Sequence, residues 1–161
     1  MPIDPKTLVL DFYRAFDERN IDQAFHALAP DFVAHMVGES TPMSLDAFKA
    51  FGLEFYSAFS EGQHQFEQVV CSGDTVVTSG IFQATHIGPF QGLPATGQQV
   101  ELSVMHIDRV DQGQIVEHWG YGDVFSLMQQ LGIVFLPGPK LITKILSQTF
   151  SNMLKKPSIQ T

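Results

Sequence analysis

The chain has 161 residues, 44% of them hydrophobic, which is the length of one domain with enough apolar material for a sizeable core. Its 9 Lys and Arg against 17 Asp and Glu leave a formal charge of −8, a surface that repels nucleic-acid phosphates over most of its area. The only cysteine, Cys71, excludes an intramolecular disulfide and reads as a small hydrophobe in an apolar strand.

The opening MPIDPKTLVLDFYRAF has no basic segment followed by an unbroken apolar run, and no window approaches the roughly 18 apolar residues of a membrane span. A cytoplasmic, reducing location is therefore expected. Asp4 before Pro5 reads as a helix cap with proline in the first turn, and Leu8, Phe12, Ala15 and Phe16 recur at helical spacing up to Asn20. IDQAFHAL predicts a short second helix, stopped at APDF because Pro30 disfavours helical backbone at Ala29; residues 31–37 then read as extended.

Ser44 caps a third predicted helix, in which Leu45, Phe48, Phe51, Phe55, Ala58 and Phe59 make an aromatic stripe that Gly52 weakens. Beyond Gly62 the apolar period becomes two, and residues 63–72, 75–86, 99–110 and 114–121 read as four strands. SGD and DQG are tight hairpin turns, and IGPFQGLPATGQ is a long connection, so antiparallel pairing is expected. Helices first and a strand meander afterwards predict an α+β fold, a curved antiparallel sheet with helices over one face. Such a sheet leaves a conical hollow, for which 14 phenylalanines supply apolar walls.

Residues two apart on a strand share a face, which places Leu102, Val104, His106, Asp108 and Val110 together. On the last strand Ile115, Glu117, Trp119, Tyr121 and Asp123 share a face if no bulge intervenes; a bulge at Gly120 or Gly122 would turn Asp123 over. Asp123 either faces the hollow, where loss of water suits it to proton transfer, or caps the helix that VFSLMQQL predicts.

ATHIGPFQGLPATGQQVEL (84–102) and DRVDQGQIVEHWGYGDVFSLMQQLG (108–132), with ALAPDFVAHMVG earlier, resemble the SnoaL-like polyketide cyclases of the nuclear transport factor 2-like superfamily. The resemblance runs over about residues 5–133, leaving 134–161 as a helical extension. It implies a cone-shaped α+β barrel, a deep pocket, frequent homodimers and no metal or organic cofactor. It also implies an intramolecular aldol closure in which Asp123 carries the proton and His106 and Asp108 hold the enolate oxygen.

Around that centre Trp119 is expected as a flat wall, His35 and His86 as donors to a substrate carbonyl, and Tyr121 and Phe55 as further pocket residues. His26 and His64 read as surface residues. No helical HxxxH pair occurs, so no metal site is expected. The function expected is a cyclase or isomerase acting on an apolar, carbonyl-bearing small molecule; epoxide hydrolysis and a non-catalytic module holding an apolar ligand are the alternatives.

PGPKLITKILSQTFSNMLKK closes the chain as an amphipathic helix, with Leu141, Ile142, Ile145, Leu146, Thr149, Phe150, Met153 and Leu154 on one stripe. Residues 1–123 hold all 17 acids and 5 of the basic groups, so packing of this lysine-bearing helix on its own acidic body is expected. A pocket lid, a dimer arm and contact with an anionic membrane surface are its other readings.

Overall fold

The computed structural model describes residues 4–134 and 136–154. Helix α1 (Pro5–Asp17) starts where Asp4 accepts the Thr7 backbone N–H and buries Val9, Phe12, Tyr13 and Ala15. Helix α2 (Ile21–His26) is capped by Asn20 and is two residues shorter than expected, because Leu28 already begins a strand that runs through Pro30.

That strand, β1 (Leu28–Met36), pairs with the two-residue β2 (Met43–Ser44), whose Ser44 caps α3 (Leu45–Ala58). Strands β3 (Phe59–Ser72), β4 (Thr75–His86), β5 (Gln99–Asp111) and β6 (Gln114–Gly122) follow. The short α4 (Val124–Gln130) and the long α5 (Pro139–Leu154) end the order. Strand β3 begins four residues before the expected start, directly from the end of α3.

The six strands form one curved, open sheet in the order β2-β1-β6-β5-β4-β3. Pairing is antiparallel throughout except between β1 and β6, which run parallel. The β5–β6 hairpin turns at Gln112 and Gly113, whose φ of 48° and 79° match the twist of the flanking strands. Cys71 lies exposed near the end of β3, a correction to its expected apolar setting.

Irregularities in register decide which side chains face inward. In β3 the pairing slips between Ser60 and Gln63 and again between Phe66 and Gln68. In β6 it slips between the partners of Arg109 and Val110, so that Ile115 and Glu117 oppose consecutive residues and Val116 is the extra one. Alternation restarts there: Ile115, then His118 and Gly120, are buried, while Glu117 and Trp119 belong to the other face.

Two apolar clusters fill the concave side. One joins α1, α2, β1 and the start of α3 through Val9, Phe12, Phe32 and Phe48; the other joins β4, β5 and α4 through Phe82, Leu102, Val104 and Leu127. Helix α5 leaves Leu141, Ile142, Ile145, Leu146 and Phe150 exposed, so this part of its stripe is not packed on the acidic body as expected, while the Met153 and Leu154 side chains lie outside what the structure describes. Lys155 and Lys156 lie outside the described residues. No helix among the described residues is long and apolar enough to cross a membrane.

Candidate active site

Between the two clusters lies a cavity of about 380 Å³, a size that suits a small organic ligand. Its walls are largely aromatic and aliphatic, with Phe12, Phe48, Phe55, Phe82 and Val104 among them. Against that background five polar rings line it: Tyr13, His64, His106, His118 and the half-exposed Tyr121.

Asp108 organises two of them. Its side chain has no solvent exposure, and a bare carboxylate there would be costly without partners. The partners are the Tyr13 hydroxyl, which donates to Oδ2 at 3.0 Å, and His118 Nδ1–H, which donates to Oδ1 at 2.8 Å. A carboxylate holding one imidazole nitrogen fixes the tautomer and leaves the other nitrogen as a proton acceptor.

That other nitrogen, His118 Nε2, lies beside Gly120, where a Cβ would stand 2.9 Å from it. The missing side chain keeps the approach open. Burial next to Asp108 pushes the Tyr13 phenol well above its ordinary range, so it stays a neutral donor.

His106 stands between His118 and His64, with ring centroids 5.6 Å and 5.7 Å away, and Tyr13 stacks on it at 4.8 Å. Its Nδ1 lies 3.2 Å from the buried Thr78 hydroxyl. Burial, reinforced by the neighbouring His118 and His64, holds its pKa well below the usual imidazole value. It is therefore a neutral ring, able to donate from Nε2 while Thr78 donates to Nδ1.

The expected residues divide into those the fold brings to the cavity and those it does not. His106 and Asp108 face inward, Phe55 lines the cavity, and half-exposed Tyr121 contributes to its lining. Asp123 is exposed, and its side chain accepts the Ser126 backbone N–H at 2.9 Å as the N-cap of α4. The expected inward turn of Asp123 does not occur: the bulge at Val116 exchanges the faces of the residues that follow it, and Asp123, one position beyond the end of β6, caps α4.

The same slip carries Trp119 outward, where it stacks on His35 with centroids 4.9 Å apart. His35 bonds Glu117 at 3.0 Å, and Arg109 donates twice to the other oxygen of that carboxylate. His35 and Trp119 thus belong to the outer face of the sheet. His86, fully buried at the end of β4, accepts the Thr96 backbone N–H and stacks on Phe59, pinning the long connection instead of lining the cavity.

Sequence reasoning missed Tyr13, His118 and His64 as cavity residues. The signals were a phenol on the apolar stripe of the first helix, the adjacent pair Ile115-Val116 breaking the alternation, and His64 sharing the inward side of β3 with Phe66. His64 is not the surface residue expected: its side chain is 9% exposed and its Nδ1–H donates to Asp17 at 2.7 Å. Among the described residues no group of three or more His, Cys, Asp or Glu is placed to hold a metal ion.

The family model described as SnoaL-like polyketide cyclase matches residues 7–131. IdmH from Streptomyces antibioticus, provisionally described as a polyketide cyclase, is 27% identical, with 81% of this chain and all of that one covered at a TM-score of 0.72. AclR from Streptomyces galilaeus, provisionally described as a hydroxylase, is 25% identical over 81% of this chain and 97% of its own, at a TM-score of 0.75. A SnoaL-like protein from Jannaschia sp. CCS1, at 20% identity, 84% and 97% coverage and a TM-score of 0.74, shares the fold. No curated protein matches the chain in sequence.

Proposed function

Because the chain belongs to the SnoaL-like polyketide cyclase family, we propose that it is an acid–base catalyst of the cyclase or isomerase type, acting on an apolar small molecule that carries a carbonyl group. The observation that carries the proposal is the Asp108–His118 pair, a fully buried carboxylate 2.8 Å from an imidazole whose other nitrogen lies beside the open position at Gly120.

Removing a proton from carbon next to a carbonyl needs a base within reach of that carbon and a donor for the oxygen that gains charge. His118 Nε2 is the base, and Asp108 keeps it in the accepting tautomer and lies beside the charge that forms on it. His106, one ring away and neutral, presents Nε2–H to the enolate oxygen. Its depressed pKa keeps it from competing for the proton. The aromatic walls exclude water, which strengthens both interactions and suits a flat, apolar substrate.

The test is deuterium uptake from D2O at the carbon between the carbonyls of an aryl β-diketone, followed by NMR. His118→Gln is expected to lower the catalysed rate by about 10²–10⁴-fold, and Asp108→Asn to lower it through loss of the correct tautomer. A wild-type rate in His118→Gln would remove the proposal. Recovery of an unaltered apolar ligand from native protein that catalyses no exchange would favour a binding role.

A further inference from the structure

Helix α5 lies beyond residue 131, where the family match ends, and none of its described side chains lines the cavity. Among the described residues, exposed large hydrophobic side chains are densest here. Leu141, Ile142, Ile145, Leu146 and Phe150 are exposed on the helix, as are Val134 and Leu136 in the segment leading to it. At 3.6 residues per turn the five helical ones cover about half of the circumference, and Lys140, Lys144, Ser147, Gln148 and Ser151 occupy the other half. A contiguous apolar face of that extent marks an interaction surface.

Two threonines stand on or beside the stripe, and neither needs water. Thr149 returns its hydroxyl to the Ile145 carbonyl and Thr143 to the Pro139 carbonyl, each at 2.9 Å. A hydroxyl that donates inside its own helix can enter an apolar medium without leaving a hydrogen bond unmade. No Asp or Glu follows Asp123, whereas Lys140, Lys144, Lys155 and Lys156 do. Neither Lys140 nor Lys144 is ion-paired among the described residues, so the polar half of the helix carries uncompensated positive charge.

We propose that α5 docks the protein on an anionic phospholipid bilayer, lying in the plane of the interface with its apolar half among the acyl chains and Lys140 and Lys144 at the headgroups. The 16 residues of the helix reach about 24 Å, short of the roughly 30 Å hydrocarbon core, so it lies on the membrane and does not span it. The acidic body, with 17 acids against 5 bases in residues 1–123, is the nearest protein surface of complementary charge, and the stripe stays bare beside it. A second copy offers only that same surface. An anionic bilayer adds what the body lacks, an apolar layer directly beneath the negative groups. The body itself is repelled by such a bilayer, which confines contact to α5; beyond about 8 Å at physiological ionic strength the repulsion is screened. Docking requires nothing of the chemistry in the cavity.

Flotation of the full chain with lipid vesicles is the test. Vesicles of phosphatidylcholine with about one part in three phosphatidylserine are expected to carry the protein up the gradient, phosphatidylcholine alone much less, and added salt should release it. Ile145→Asp, in the middle of the stripe, is expected to abolish flotation. Lys140→Gln combined with Lys144→Gln should weaken partition about 30-fold, the effect of two lysines near an anionic surface. All three positions are exposed, so circular dichroism melts of the variants should match the wild type. Trp119, the only tryptophan, stacks on His35 on the outer face of the sheet, and its emission should not shift when vesicles are added.

A wild-type chain that does not float with the phosphatidylserine vesicles overturns the proposal, as does flotation unchanged in Ile145→Asp. A blue shift of Trp119 would seat the sheet on the bilayer in place of α5, and equal flotation with both kinds of vesicle would remove the role of the lysines. Light scattering supplies the last arm: a wild-type dimer that Ile145→Asp converts to a monomer would assign the stripe to a second copy and overturn docking on lipid.

Discussion

Asp123 and Asp108 show how one residue type serves two purposes according to its surroundings. Asp123 sits in water and satisfies an orphan amide at the start of α4, whereas Asp108 has no solvent contact and holds Tyr13 and His118. Asp123→Ala is accordingly expected to cost about 0.5–2 kcal/mol of stability, the usual value for a lost cap, while catalysed exchange is retained. Denaturant melts with the exchange assay check both halves; loss of exchange in a folded Asp123→Ala protein would contradict this assignment.

His106 supplies a pH prediction with a definite sign. Its folded pKa lies well below the ordinary imidazole value of 6.5, so above that pH neither state is protonated and no penalty arises. As pH falls through 6.5 the unfolded chain binds a proton that the buried ring refuses, and stability drops with a slope of up to about 1.4 kcal/mol per pH unit from this group. Urea midpoints at neutral and mildly acid pH should fall more steeply for the wild type than for His106→Gln. An identical fall in the two proteins would mean that the ring is not held neutral.

At the scale of elements, the extra residue in β6 governs the site. A strand has a period of two, so one inserted position exchanges the faces of all that follow; Val116 thereby brings His118 beside Asp108 and sends Trp119 to His35. Gly120, two residues on from His118, completes the arrangement. A Cβ there meets Met36 Sδ at 2.8 Å and His118 Nε2 at 2.9 Å. Met36 has a flexible end and can give way, but the His118 ring is held by a buried carboxylate. Gly120→Ala is therefore predicted to lower catalysed exchange by about tenfold or more, with an overpacking cost near 1–3 kcal/mol. A folded Gly120→Ala protein with the wild-type rate would place the reacting atoms elsewhere.

For the whole molecule, the division is between a body whose apolar clusters wall the cavity and a terminal helix whose apolar residues from Leu141 to Phe150 are exposed. Since burial is what stabilises a helix of this kind, α5 adds little to the stability of the body that carries the cavity. A chain ending at residue 138 is expected to unfold within about 2 °C of the full chain, too small a change for loss of a packed helix in a domain of this size. A fall of many degrees, read by circular dichroism, would show that the stripe is covered in solution.

The sequence by itself determined the order of helices and strands, the tight β3–β4 and β5–β6 hairpins and the inward face of β5, because caps, turn residues and apolar periods are local properties. The early ends of α2 and α3 were less legible, since their last residues are apolar and serve a helix or a strand equally well until a neighbour pairs with them. Only the tertiary structure decided the site. Tyr13, Asp17, His64, Asp108 and His118 come from α1, β3, β5 and β6, and no local pattern tells that a phenol and an imidazole 105 positions apart share one carboxylate. The face that β6 presents was likewise settled by pairing across strands, where one unpaired residue outweighs the alternation on either side of it.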